Sequence, residues 1–241
     1  MSKLDKKAAM KELAEIKVRV AYLEDIVNAA ENREPKKLNY DIVELAAKIK
    51  DGTLEEELVV GDYIDFKIES GDVVRAYVVG KNHDDKVHGG KAEYTFACFV
   101  EDIRVRMNET SDNGTSWKNS KMRSKHMVSL YNLLPSKLPM YLSPINKKTS
   151  AGNDNGKILE TTDTLFLFSE VEITGKSTYS KGGEGTQYEF FKSNENRKTL
   201  IKNWAWTRSP YRSHCFCVVC GDVSGYDCAN NFYGVLFGFC L

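Results

Sequence analysis

The hydrophobic period of this 241-residue chain changes once, near residue 58, and that change restricts it to a mixed α and β fold. Before Pro35, Leu13, Ile16, Val20, Leu23 and Val27 step by three and four residues, the a/d repeat of a coiled-coil seam. Ala9 and Ala30 continue the register, and no Gly or Pro interrupts it. The seam spans about three heptads, which is short for an isolated dimer. Two uses therefore stay open: packing on the rest of the chain, or self-association along a narrow apolar stripe. The mixture of Leu, Ile, Val and Ala does not choose between dimer and trimer. A second helix fits Asp41 to Ile49, where Ile42, Leu45 and Ile49 share a face, and Asp51-Gly52 closes it.

From residue 58, Leu58-Val59-Val60, Tyr63 to Ile68, Val73 to Val79 and Tyr94 to Val100 read as short strands between Gly- and Asp-bearing turns. A polar loop from Asn108 to Ser116 leads to an expected helix from Lys118 to Leu134, stopped by Pro135. Strands are expected again at Met140 to Ile145 and Thr164 to Phe168. Thr174 to Gln187 reads as a long Gly/Ser/Thr-rich loop, and nothing after Trp204 has helical period. The expected class is α+β, with a helical segment at 1–50 and one domain at 51–241.

Charge and hydropathy remove several functions. Hydrophobic residues are 41% of the chain, enough for a real core. Lys+Arg and Asp+Glu are both 34, so the basic excess that releases counterions from nucleic acid is missing and no nucleic-acid partner is expected. The longest apolar runs, Leu165 to Phe168 and Cys215 to Cys220, are far below the roughly 20 residues of a membrane span. Met1 to Lys7 carries three lysines and no apolar core, so synthesis in the cytoplasm without a Sec leader is expected.

The C-terminal segment departs from the composition of the rest. From Ser209 to Leu241 there is no Lys, Glu, Gln, Met or Trp, although Lys and Glu are common up to that point. Codons ending in a pyrimidine cannot encode those five types, and every residue from 209 onward can be encoded by such a codon. Five of the six cysteines fall there: Cys215, Cys217, Cys220, Cys228 and Cys240. A buried β segment would also lack Lys and Glu. It would show regular apolar alternation, however, and Arg212, His214, Asp222, Asp227, Asn230 and Asn231 interrupt that alternation. Diversification of adenine-containing codons accounts for both features.

Trp206-Thr207-Arg208-Ser209-Pro210-Tyr211, then Phe216-Cys217, Gly234-Val235 and Gly238-Phe239-Cys240, resembles the C-terminal half of prophage-type proteins with a C-type-lectin-like fold. These are variable proteins of diversity-generating retroelements, similar in role to the phage major tropism determinant. Upstream blocks agree: Val79 to Asp85, Trp117 to Arg123, Thr161 to Leu167 and Gly183 to Tyr188. The resemblance covers roughly residues 55–241 and leaves the N-terminal helix outside. Ala205 departs from it, where relatives carry a second Trp, and so does Leu236-Phe237, where many have a polar or Arg-Pro pair.

The resemblance implies a fixed lectin-like (formylglycine-generating-enzyme-like) scaffold displaying a variable region at about 209–241, as rigid antibody frameworks display loops. It assigns framework roles to Trp206, Arg208, Ser209, Phe216, Cys217, Val219, Gly234, Val235, Gly238, Phe239 and Cys240. It assigns ligand contact to Tyr211, Arg212, Ser213, His214, Val218, Cys220, Asp222, Tyr226, Asp227, Cys228, Asn230, Phe232, Tyr233 and Leu236. Tyr211, Tyr226, Phe232 and Tyr233 are the expected anchors, since aromatic side chains give large contact area at low entropy cost. The implied function is non-enzymatic binding of a host-surface protein or glycan, on a phage tail or a cell surface. The N-terminal helix would make a homo-oligomer, and a trimer suits a tail tip.

Other chemistries fit less well. Cys215-x-Cys217-x-x-Cys220 with Cys228 could supply four thiolates to zinc, but the spacing is not a paired knuckle and Cys217 already has a framework role. Disulfides would need an oxidising environment, and incidental thiols remain the plainer reading. His83-Asp84-Asp85 with His88 sits in a polar turn, where Asp usually accepts local backbone amides. Gly182 to Gly185 lacks the Lys-Ser/Thr of a phosphate loop and reads as a turn. Asn108 and Asn113 match glycosylation acceptors, which carry no weight without a leader. A formylglycine-type oxidase using copper on a cysteine pair such as Cys215 and Cys220 is the enzymatic alternative, and a structural virion protein without a ligand is the other. No cofactor or metal is expected, and no membrane insertion.

Overall fold

Strands frame the fold, and alternating burial marks the first of them, Tyr63–Lys67, and the start of the next, Val73–Lys81. The computed structural model describes residues 10–23, 33–112 and 116–241, apart from the side chains of residues 101 and 102. The chain divides into two units, Met1–Pro35 and Lys36–Leu241. In the first, residues 10–23 are helical (α1), and Leu13, Ile16, Val20 and Leu23 are exposed. Ala9, Val27 and Ala30 of the seam lie outside the described residues, as does Asn113.

The second unit takes in α2 (Ile42–Lys50), drawn at the sequence level into the N-terminal segment. Asp41 caps it, its carboxylate accepting from the Val43 N–H at 2.8 Å. Ile42, Leu45, Ala46 and Ile49 enter the core. The strands are β1 (Tyr63–Lys67), β2 (Val73–Lys81), β3 (Tyr94–Val105), β4 (Ile145–Gly152), β5 (Asn155–Asp163), β6 (Leu165–Leu167), β7 (Ala205–Tyr211), β8 (Cys215–Cys220), β9 (Val223–Cys228) and β10 (Tyr233–Cys240). The main sheet runs β1-β2-β3-β10-β7-β8-β9, with β6 also paired to β10; β4 and β5 form a separate hairpin. Among the pairings between these strands only the short β10–β7 one is parallel, and Lys37 makes an isolated parallel bridge to Tyr63. The helices are α3 (Met127–Leu133), α4 (Glu170–Thr174), α5 (Glu189–Lys192) and α6 (Asn194–Leu200). The class is α+β, dominated by sheet.

β10 runs through the middle of this sheet, and its neighbours leave no room at two glycines. A Cβ on Gly238 would lie 2.7 Å from Phe166 and Phe168, and one on Gly234 would lie 2.7 Å from Phe99. The sequence requires glycine at both because aromatic rings fill the space.

Three expected elements differ. Leu58 to Val60 forms no strand: the Asp62 carboxylate accepts from the Val59 N–H at 3.0 Å and the Lys36 N–H at 2.9 Å, and so turns the chain. The expected helix from Lys118 to Leu134 is present but starts later: a turn leads to Lys121, and the helix runs on through a π-helical stretch at Met122–His126 into α3. Ser120 competes with the helical ladder there, its hydroxyl accepting from the Arg123 N–H at 3.1 Å. Met140 to Ile145 holds the end of a 3₁₀ turn (Leu138–Met140) and the start of β4 rather than one strand. Pro139 and Pro144 remove the donors a strand would need. No helix among the described residues is long and apolar enough to cross a membrane.

Candidate functional site

Arg208 lies in β7 with its guanidinium fully buried, and burying that charge dictates its surroundings. Its two terminal nitrogens donate to the Glu172 carboxylate at 2.5 and 2.8 Å, a bidentate pair. The same nitrogens donate to the carbonyls of Leu167 and Glu184, each at 2.8 Å, and Nε donates to Thr149 Oγ1 at 3.0 Å. Glu172 is placed by a capping box at the start of α4, exchanging hydrogen bonds with Ser169.

Glu172 also meets a second buried cation. Lys147, on the inner face of β4, donates to Glu172 at 3.1 Å, to Asp84 at 2.6 Å and to the Tyr188 hydroxyl at 2.6 Å. Asp84 further accepts from Thr95 Oγ1 at 2.6 Å and from the Tyr188 hydroxyl at 2.8 Å, while the Cys240 thiol lies 3.5 Å away. Burial pushes both carboxyls up, but Lys147 beside Asp84, and Arg208 with Lys147 beside Glu172, outweigh it and hold both below their ordinary values. Tyr188, buried beside these carboxylates, is raised well above the usual phenol value. His83 stacks on Tyr188 at 3.8 Å, and burial lowers its pKa. The expectation that Asp84 caps a local turn is corrected: its carboxylate turns into the core, where a lysine compensates it.

Two more buried carboxylates hold the blocks together. Glu184 accepts from the Ser150 N–H at 2.8 Å and from the Ser209 hydroxyl, and burial raises its pKa. Asp163 accepts from Trp117 Nε1 at 2.9 Å, Arg123 Nε at 2.5 Å and Thr161 Oγ1 at 2.6 Å. The four upstream blocks therefore supply much of the buried polar scaffold. Every residue assigned to the framework (Trp206, Arg208, Ser209, Phe216, Cys217, Val219, Gly234, Val235, Gly238, Phe239 and Cys240) is buried. The thiols of Cys217 and Cys240 are pushed up first by burial.

The same strands end in an exposed patch. Tyr211 closes β7, and Arg212, Ser213 and His214 turn into β8, with Arg212 in the left-handed region at φ 51°. The His214 carbonyl accepts from the Ala229 N–H at 3.0 Å, tying this turn to the one before β10. That second turn carries Asn230 and exposed Phe232, whose ring lies 4.6 Å from the Arg106 guanidinium. Tyr226, exposed on edge strand β9, meets Tyr211 at 4.3 Å between ring centroids. Tyr179 joins both, at 5.6 Å from Tyr211 and 5.1 Å from Tyr226. The Glu170 carboxylate positions it from within, accepting the N–H groups of Tyr179 and Ser180.

Beside the patch, Tyr233 donates to Asp227 and packs edge-on against Trp206 at 4.9 Å. Burial and the Asp227 carboxylate raise Tyr233 to about 12. Burial raises Asp227 in turn, but its donors Tyr233, Asn231 and the Cys228 N–H bring it below its ordinary value.

Not every residue expected to contact ligand reaches this patch. Val218 and Leu236 are corrected: both are buried, as are their neighbours on either side, because both faces of β8 and β10 are covered there. Cys220 and Asp222 sit at the other end of the β8–β9 hairpin, near α6, where Asp222 pairs with Lys198 at 3.1 Å and the Cys220 sulfur lies 3.9 Å from the Lys202 carbonyl. Cys217 and Cys220 also fail to join Cys215 and Cys228, so the four-thiolate set does not assemble. Cys215 and Cys228 oppose each other across β8 and β9, and their donor atoms and one from His214 lie within 4.8 Å of one another. Burial, then the neighbouring Cys228, raises the Cys215 thiol to about 11.

Sequence reasoning missed Lys147, Glu172, Glu184 and Tyr179. Ser169-x-x-Glu172 was a readable capping box, and Ile145, Lys147 and Thr149 alternate onto one strand face. Glu184 lay in the block Gly183 to Tyr188 without a role of its own, and nothing local marked Tyr179.

The class these features define is an α+β domain with a charge-compensated core and an aromatic exposed end built from its last four strands. The chain belongs to the family described as Domain of unknown function (DUF6273), whose model matches residues 92–241. No curated protein and no solved structure matches it.

Proposed function

We propose that this is a non-enzymatic ligand-binding protein: a C-type-lectin-like head whose C-terminal face is diversified by a retroelement and carried on a phage tail or cell surface. One observation carries the reading. Within 209–241 the residues assigned to the framework are all buried, whereas all but two of the fourteen assigned to ligand contact are partly or fully exposed. A diversified segment must divide in this way, with its fixed positions inside and its variable ones at the surface.

The exposed group has the chemistry of a paratope. Tyr211, Tyr226 and Tyr179 offer adjoining aromatic faces, with Arg212 and Ser213 beside them as polar contacts. Its partner is a host-surface protein or glycan. The exposed Leu13, Ile16, Val20 and Leu23 of α1 support self-association through a coiled coil, which would add avidity to a weak single site.

The test is deep sequencing of codons 209–241 in a bacterial population carrying the gene. Changes confined to the first two bases of pyrimidine-ending codons are expected, with Trp206 and Gly238-Phe239-Cys240 constant. A segment as uniform as the rest of the gene would overturn the reading.

A further inference from the structure

We infer that His214, Cys215 and Cys228 bind one zinc ion per chain through one imidazole nitrogen and two thiolates, with the fourth tetrahedral position open to solvent. This goes beyond the binding face and stands whether or not the face is diversified. Among the described residues, these three are the group of His, Cys and acidic side chains whose ligand atoms converge.

The geometry comes from three separate elements. Cys215 opens β8 and Cys228 ends β9, and their Cα atoms are direct cross-strand partners. His214 precedes Cys215 in the turn, and that turn is fixed by the Ala229 N–H bonded to the His214 carbonyl at 3.0 Å. The three donor atoms already lie within 4.8 Å of one another. Tetrahedral zinc with sulfur and nitrogen ligands needs them about 3.5–3.8 Å apart, a small side-chain adjustment. Ser213 Oγ lies 3.2 Å from His214 Nδ1, the kind of outer partner that fixes the orientation of a ligating imidazole.

Donor type selects the metal. Two thiolates and an imidazole suit zinc and exclude the hard cations that require oxygen. Each thiol would release its proton to solvent on binding, and the two thiolates balance the dication. Three protein ligands with a fourth site open is the zinc arrangement that accepts an outside donor. Cys215 is buried, Cys228 half-buried and His214 exposed, so that fourth position faces water at the edge of the patch.

The experiment uses the full chain, reduced with a phosphine, freed of metal and titrated with zinc and then with cobalt. Metal content should saturate at one ion per chain. Cobalt should give tetrahedral d–d bands with a thiolate charge-transfer band, and zinc should raise the melting temperature. Cys228→Ser should abolish the charge-transfer intensity of the second thiolate and the stoichiometric uptake, and His214→Ala should weaken uptake by about tenfold or more. Cys220→Ser, at the far end of the hairpin, should bind as the parent does, and circular dichroism checks that each variant folds. The proposal is overturned if the reduced chain takes up no zinc, if Cys228→Ser binds unchanged, if Cys220→Ser loses the metal, or if only cuprous ion binds. A Cys215–Cys228 disulfide that survives the phosphine would overturn it too.

Discussion

Two arginines four residues apart on one stretch of chain obey opposite rules. Arg208 is fully buried in β7, where every donor direction is met by a carboxylate, a carbonyl or a hydroxyl. Arg212 is exposed in the following turn, its guanidinium 5.0 Å from the Tyr211 ring. Between them the chain passes from a position where almost any change leaves an unpaired buried charge to one where change meets water. The fold thus sets a sharp boundary between what must be kept and what can vary.

The strongest way to break that contrast is at its buried end. Arg208→Ala leaves Glu172 buried with Lys147 as its remaining cation, and removal of one partner of a buried pair costs about 3–5 kcal/mol. Urea denaturation should register that loss, while Arg212→Ala should leave the midpoint unchanged. Equal shifts would erase the distinction. Gly238→Ala comes next. Its Cβ would meet two phenylalanine rings at 2.7 Å, and overpacking of this kind costs about 1–3 kcal/mol.

What the sequence made legible follows the same boundary. Period-two runs predicted β1, β2 and much of β3, and the Ile42/Leu45/Ile49 spacing predicted α2, because each buries a continuous apolar face. β4 and β5 were missed because Lys147 occupies an inward position and half of β5 is exposed, which blurs alternation. α5 and α6 are too short to express a period. At the exposed end, residue types in 209–241 named Tyr211 and Tyr226, but Tyr179 comes from a distant loop, placed there by the Glu170 carboxylate. Val218 and Leu236 were misassigned because both faces of β8 and β10 are covered, and what covers a second face comes from distant parts of the chain.

Acid separates the buried carboxylates by sign. Asp84 and Glu172 have folded values below their unfolded ones, so their stabilisation is complete above about pH 4 and is lost as pH falls through the folded values. Glu184 is raised by burial, so the folded state takes its proton first and acidification toward about pH 4 favours folding at that site. His83 and His126 act against Glu184: burial lowers both, so the unfolded state takes their protons first and acidification through the ordinary histidine value of about 6.5 favours unfolding there. The urea midpoint should therefore be set from neutral to about pH 5 by Glu184 against these two imidazoles, and should fall steeply below about pH 4. Glu184→Gln should make stability fall more than in the parent between neutral and about pH 5, leaving the two imidazoles unopposed, and should keep the acid limb. A profile unchanged by Glu184→Gln would remove the opposing-sign account.

The smallest expected effect on stability lies at the exposed end and says most about function. Tyr226 is 44% exposed on an edge strand, and its ring meets those of Tyr211 and Tyr179. Tyr226→Ala should change stability by no more than about 0.5 kcal/mol, since it empties no cavity and strands no buried polar group. Glu170→Gln should cost more, because the Glu170 carboxylate accepts the N–H groups of Tyr179 and Ser180 and the Ser180 hydroxyl from within. With a ligand recovered from a display screen, the order should reverse: Tyr226→Ala removes a contact directly, whereas Glu170→Gln acts only by loosening Tyr179. A chain in which stability and binding rank these variants alike would have a patch that is part of its core, and the separation between scaffold and display would fail at the point where it is most exposed.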